Sequence, residues 1–72
     1  MNKSEIGKAI NRAGYGWTAM RKATASRLRA GVFVYWYNMN GTKQTSFISE
    51  DEPEQDLEEM FYLMEVEGNI PF

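Results

Sequence analysis

The side chains that could do chemistry in this sequence are mainly carboxylates, because the chain contains no histidine and no cysteine. The commonest general base, the commonest metal ligand and the thiolate nucleophile are therefore all missing. Nine of the ten carboxylates lie between residues 50 and 67. Hydrolysis by two carboxylates needs a pair held across a cleft with the pKa of one raised by burial, and acids on a solvated helix face do not provide that.

Other kinds of chemical site also lack the residues that they need. The acidic stretch from Glu50 to Glu54 does not have the D-x-D-x-D-G spacing of a calcium loop. Gly14 and Gly16 are the one pair that suggests a phosphate-binding loop, but neither a third glycine nor a Gly-Lys-Ser/Thr ending follows. The sequence therefore predicts no enzyme, no metal site and no cofactor, and favours a protein that works by binding another macromolecule.

Charge is unevenly distributed along the chain, although the net charge is only −2. Residues 1–43 hold all eight basic residues against one acid, a net +7, and residues 44–72 hold nine acids and no basic residue, a net −9. This asymmetry favours a charged partner. The alternative is that the two halves neutralise each other inside the fold, and the sequence leaves both open.

Length and hydropathy indicate one small domain over residues 1–72, because a chain this short buries only about 60% of its unfolded surface in a single core. The longest apolar run, from Val32 to Tyr37, is far shorter than the ~18 residues of a membrane span, and the first residues lack the pattern of a signal peptide. We expect a cytoplasmic protein without a membrane segment. A homodimer is also an option, since a small domain without disulfides has few other sources of stability.

Apolar spacing and turn residues predict an α+β fold in the order ααββα: two short helices, one β-hairpin and a C-terminal acidic amphipathic helix. Residues 3–13 are predicted as the first helix, capped by Asn2 or Ser4. Thr18 to about Arg29 is predicted as the second helix, because alanine, methionine, arginine and leucine favour helix.

Residues 32–39 and 42–48 are predicted as a hairpin, because Asn40-Gly41 is a strong two-residue turn signal between β-branched and aromatic segments. Such a turn places Tyr37 opposite Gln44 and Phe33 opposite Ile48. One surface of the hairpin then carries Phe33, Tyr35, Tyr37, Met39 and Ile48. That surface either binds a partner, or is covered by helices or the tail, or results from a register that is wrong by one residue.

The C-terminal helix is predicted to begin near Pro53 and to end at Gly68. Its apolar seam at i, i+3, i+4 and i+7 is formed by Leu57, Met60, Phe61 and Met64, and Leu63 widens it. Glu54, Glu58 and Glu65 flank that seam, and we call these three residues the acidic stripe. The tail after Gly68 is expected to pack back or to pair along the hairpin edge.

The favoured hypothesis is a non-catalytic inhibitor or adaptor that docks on a basic, nucleic-acid-handling protein. Carboxylates spaced along a helix can occupy a groove meant for phosphates. In size and composition the chain is similar to the small acidic inhibitors made by phages and mobile elements. The expected contact residues are the acidic stripe together with the aromatic hairpin side chains: Glu54, Glu58, Glu65, Tyr35, Tyr37 and Met39.

The alternative hypothesis is a DNA-binding regulator, because residues 4–48 resemble a winged helix–turn–helix with residues 18–29 as the recognition helix. Phosphates and bases would then meet Arg21, Lys22, Ser26, Arg29 and Lys43. The acidic pI of 5.0 argues against it, because DNA-binding modules of this size usually carry a net positive charge.

Overall fold

The computed structural model describes residues 1–23 and 30–71. Within those residues two helices and three strands follow one another as α1 (Lys3–Arg12), β1 (Ala19–Ala23), β2 (Gly31–Tyr37), β3 (Lys43–Ser49) and α2 (Pro53–Glu67). The strands form one antiparallel sheet with β2 in the centre. The predicted α+β class is confirmed, whereas the predicted order ααββα is not.

The first helix, α1, begins where the sequence predicts because its N-terminus has a reciprocal cap. The Asn2 side chain accepts a hydrogen bond from the Glu5 amide at 2.8 Å, and the Glu5 carboxylate accepts one from the Asn2 amide at 2.9 Å. This capping box satisfies two amides that a helix start otherwise leaves unpaired. The helix buries Ile6 and Ile10 against the sheet.

The last helix, α2, also has the predicted bounds, and its first turn is joined to the end of β3. The hydroxyl of Ser49 accepts a hydrogen bond from the Glu52 amide at 3.2 Å, while the Ser49 amide donates to the Asp56 carboxylate at 2.8 Å. These two hydrogen bonds hold β3 and α2 in a fixed relation. Gly68, with φ of +83°, ends the helix in a conformation that glycine adopts without strain.

The second predicted helix is wrong over the part that the structure describes. Residues 19–23 form the edge strand β1, which runs antiparallel to β2 with Ala19 opposite Tyr35 and Ala23 opposite Gly31. Helix propensities differ by less than about 0.7 kcal/mol among ordinary residues, so pairing with the free edge of β2 outweighs them. The rest of that prediction, residues 24–29, lies outside the described residues.

The core lies on one face of the sheet, and both helices cover that face. From the central strand it receives Val32, Val34 and Trp36. The remaining side chains of this core cluster come from α1, β3 and α2: Ile6, Ile10, Ile48, Leu57, Met60 and Met64. The indole N–H of Trp36 donates to the Ser46 hydroxyl at 3.0 Å, so the largest core side chain leaves no polar group unpaired.

The predicted hairpin is confirmed, but its predicted register is wrong by one residue. Tyr37 lies opposite Lys43 and Phe33 opposite Phe47, so Ile48 turns into the core and Phe47 turns to the other face. The cause is Asn38, whose carboxamide oxygen accepts hydrogen bonds from the amides of residues 40 and 42, both at 3.0 Å. With Gly41 at φ of +79°, the loop becomes a three-residue turn instead of the two-residue turn that Asn-Gly favours.

The tail after α2 packs back on the fold, as expected from the sequence. The carboxamide of Asn69 accepts a hydrogen bond from the Gly16 amide at 2.7 Å and donates one to the Gly16 carbonyl at 2.9 Å. The amide of Ile70 donates to the Tyr37 carbonyl at 2.9 Å. The tail thereby joins the loop after α1 to the end of the central strand.

Replacing Asn38 by Ala should lower the free energy of unfolding by about 1–3 kcal/mol, because two turn amides and the Glu67 carboxylate lose a buried hydrogen-bond partner. Urea denaturation followed by circular dichroism measures the change. Asn40→Ala is the matched control, since Asn40 is an exposed asparagine in the same turn. If both variants lost the same free energy of unfolding, the Asn38 side chain would not be the cause of the three-residue turn.

Candidate functional site

The face of the sheet opposite the helices carries a row of aromatic side chains. Phe33, Tyr35 and Tyr37 alternate along β2 with the core residues and are half-buried, as is Phe47 on β3. The rings of Phe33 and Phe47 lie 5.0 Å apart between centroids and are tilted by 51°. We call this surface, together with Arg21 and Lys43, the aromatic face.

Two cations lie against these rings. The guanidinium carbon of Arg21 is 4.8 Å from the centre of the Phe33 ring, and its Nε donates to the Tyr35 hydroxyl at 3.3 Å. The ammonium group of Lys43 is 4.9 Å from the centre of the Tyr35 ring. Exposed cation–π contacts stabilise by about 0.5–1 kcal/mol each. Tyr35 therefore lies between two positive charges that its own sheet positions.

Phe47 has its place on this face because Gly31, across the sheet, has no side chain. A methyl group at Gly31 would overlap both the carbonyl oxygen of Ile48 and the ring of Phe47. The two strands therefore approach closely, and the Phe47 ring extends over the backbone of β2. The aromatic face is thereby continuous from β2 onto β3.

A second surface lies on the solvent side of α2. Tyr62 is 68% exposed, Val66 is 64% exposed and Leu63 is 41% exposed, and Glu58 and Glu59 lie beside them. Glu58, Glu59, Tyr62 and Leu63 line a shallow depression. We call these five residues the α2 outer face.

Sequence reasoning missed the apolar part of the α2 outer face. It assigned Leu63 to the buried seam and did not consider Tyr62 or Val66. The signal was present, because at 100° per residue Tyr62 and Val66 project almost opposite to Leu57 and Met64, which the seam buries.

All three residues of the acidic stripe are exposed, but one of them also has a partner within the fold. The carboxylate of Glu65 accepts a hydrogen bond from the Tyr15 hydroxyl. The ring of Tyr15 in turn stacks on Phe61, with 5.5 Å between centroids. Glu65 therefore helps to hold the loop after α1 against α2.

The residues predicted to bind a protein partner do not form one surface. Tyr35 and Tyr37 lie on the aromatic face, the acidic stripe lies on the helix that covers the opposite face, and Met39 is 67% exposed in the hairpin loop. The hypothesis grouped these residues on one surface because the sequence does not show which face of the hairpin the helix covers.

The residues predicted to bind DNA are partly brought together. Arg21 and Lys43, from the two outer strands, meet at Tyr35, which the sequence had assigned to the other hypothesis. Lys22 follows Arg21 in β1 and projects toward the other side of the sheet. Ser26 and Arg29 lie outside the described residues.

The described part of the chain lacks the features of a metal site, a membrane-spanning helix or an unpaired buried polar group. Residues 1–23 and 30–71 contain no group of three or more acidic, histidine or cysteine side chains that could hold a metal ion. No helix of that part is sufficiently long and apolar to cross a bilayer. The same part of the chain contains no buried side-chain nitrogen or oxygen that lacks a hydrogen-bond partner.

The contact between Tyr15 and Glu65 predicts how stability depends on pH. The hydrogen bond to Glu65, then partial burial and the negative charge of that carboxylate, raise the pKa of the Tyr15 hydroxyl above its usual value of about 10. Because folding raises this pKa, the protonated hydroxyl stabilises the folded protein. The stabilisation is complete below the unfolded-state pKa of about 10 and is lost as the pH rises through the folded-state pKa.

The melting temperature of the wild-type protein should therefore fall more steeply above about pH 10 than that of Tyr15→Phe, whereas Tyr62→Phe should follow the wild type. Tyr62 is a suitable control because its side chain is mostly exposed. Parallel curves for the wild type and Tyr15→Phe would show that the ionisation of Tyr15 does not contribute.

Comparison of the chain with protein-family models, with curated proteins and with solved structures finds no match.

Proposed function

We propose that the protein is a non-catalytic binding module whose α2 outer face docks on a basic, nucleic-acid-handling protein. The observation that carries this proposal is the exposure of Tyr62 and Val66 beside Glu58 and Glu59. Large apolar side chains that a small domain leaves in solvent next to one another are typical of interaction sites.

The spacing on α2 suits a helix that lies in a groove. Glu59, Tyr62, Leu63 and Val66 fall at i, i+3, i+4 and i+7, the positions that a docked helix presents to its partner. Tyrosine is enriched at the centres of interfaces, where its ring is buried and its hydroxyl finds a partner. We infer that Tyr62 is the central contact and that the acids form the rim.

The charge of α2 indicates the kind of partner. The helix contains no lysine or arginine, and Glu54 and Glu58 are four residues apart, a spacing at which like charges repel and destabilise a helix. A cationic groove would relieve that repulsion and would accelerate encounter by electrostatic attraction. Grooves of this kind belong to proteins that bind phosphates, so docking would compete with nucleic acid for the partner.

The winged helix–turn–helix alternative has less support. It requires a recognition helix that enters the major groove, and the described part of that segment, Ala19–Ala23, is a β-strand. It stays a prediction, and binding to duplex DNA would be its test.

Replacing Tyr62 and Val66 together by Ser should reduce partner affinity at least about tenfold, because they supply the apolar centre of the interface. The immobilised protein is incubated with a nuclease-treated cytoplasmic lysate, and each captured protein is purified and titrated. Met39→Ser is the control, since Met39 is as exposed as Tyr62 but lies in the hairpin loop. The proposal fails if Met39→Ser weakens capture as much as the α2 variant does.

Replacing Glu58 and Glu59 by Gln should slow association with the same partner and reduce its dependence on salt, with a smaller effect on dissociation, because rim charges act mainly on encounter. Surface plasmon resonance at two salt concentrations separates the two rates. Lys8→Gln, an exposed charge on α1, is the control. Added nucleic acid should displace the protein from its partner. If nucleic acid does not dissociate the complex, the two do not compete for one phosphate-binding groove.

A further inference from the structure

We propose that the aromatic face binds a single nucleic-acid strand, with bases stacked on its rings and phosphates held by Arg21 and Lys43. This inference goes beyond the proposed function, because it concerns the side of the sheet that neither helix covers. It rests on the coincidence of two features on one surface: a row of aromatic rings, and two cations that lie over the Phe33 and Tyr35 rings.

The spacing of the rings suits bases. Phe33, Tyr35 and Tyr37 are alternate residues of one strand, so neighbouring rings stand about 6.6 Å apart along it. A half-buried row of this length offers stacking positions for about two or three bases, as sheet surfaces with aromatic side chains do in proteins that bind single strands. A base that stacks on Phe33 or Tyr35 takes the place of the cation that lies over that ring, and the released cation pairs with a phosphate.

The charges of this face complement phosphates. The cations Arg21 and Lys43 come from the two outer strands, and they approach Tyr35 from opposite sides. The strand positions whose side chains share this face include no carboxylate, because the acids of the described chain lie on α1, on α2 and in the segment between β3 and α2. A chain that is acidic overall therefore presents one surface on which the described charges are positive.

The same charges argue against a second copy of the chain as the occupant. A two-fold dimer brings identical patches together. Facing copies of the aromatic face would place two arginines and two lysines against each other without a strand-borne acid to pair with them. Duplex DNA is a poor fit as well, because its bases are stacked inside the helix and cannot lie on exposed rings.

The test is fluorescence anisotropy of the full-length protein with labelled 12-nucleotide oligothymidylate and oligouridylate, and with a duplex of the same length. Both single strands should bind and the duplex should bind more weakly, since stacking requires unpaired bases. If two phosphates are neutralised, the logarithm of the association constant should fall with the logarithm of the salt concentration with a slope of about −1.4.

The variants separate stacking from charge. Tyr35→Leu should weaken binding about fivefold or more, whereas Tyr35→Phe, which keeps the ring, should bind nearly as the wild type does. Arg21→Gln combined with Lys43→Gln should remove most of the salt dependence. Lys3→Gln combined with Lys8→Gln removes two exposed charges from α1 and should leave binding unchanged. Circular dichroism confirms that each variant is folded.

Several results would overturn the inference. These are an absence of single-strand binding at low salt, a duplex that binds as tightly as the single strands, and Tyr35→Leu binding as the wild type while folded. Sedimentation that shows a dimer, dissociated by Tyr35→Leu, would assign the face to a second copy instead. The Tyr62→Ser, Val66→Ser variant should keep its affinity for the oligonucleotides, so failure of the α2 proposal and failure of this one are distinguishable.

Discussion

The structure depends on one constraint, which is that both helices cover the same face of the sheet. In its described part the chain of 72 residues has two helices and one three-stranded sheet, so the opposite face has no helix over it. The central strand β2 therefore has two different environments in alternate residues. Val34 and Trp36 are buried among the helices, while Tyr35 and Tyr37 project from the other side. A strand of nearly continuous apolar sequence usually indicates burial on both faces. Here the second set of residues remains at the surface and becomes the most distinctive feature of the protein.

Local signals in the sequence were sufficient for the helices and for the existence of the hairpin. The caps, the proline at the start of α2 and the glycine at its end each act within a few residues, and all are visible without tertiary structure. The strand β1 could not be predicted in this way, because Met20, Arg21 and Lys22 favour helix slightly and become a strand only where β2 offers an edge. The register failed for a similar reason, since the side chain of Asn38 lengthens the turn.

The candidate surfaces were only partly predictable, since the residue types were visible while their grouping was not. A slip of one residue exchanges the faces of Phe47 and Ile48, and a strand in place of a helix carries Arg21 to the aromatic rings. The charge separation along the sequence is only partly kept between the layers, because α1, in the helical layer, carries Lys3, Lys8 and Arg12. Acids project from the helical layer, and Arg21 and Lys43 lie on the uncovered side of the sheet. A negative helix can thus coexist with a positive surface in one small domain.

The carboxamide of Asn69, bonded to both backbone groups of Gly16, also bears on the order in which the chain folds. The two residues are 53 positions apart, so the chain entropy lost by closing this contact early would exceed what two hydrogen bonds return. The capping box of α1 and the turn at Asn38 join residues only two to four apart and can form first. The tail would then dock last, on a sheet and helices already assembled. Such a contact slows the opening of the native state more than it speeds its formation.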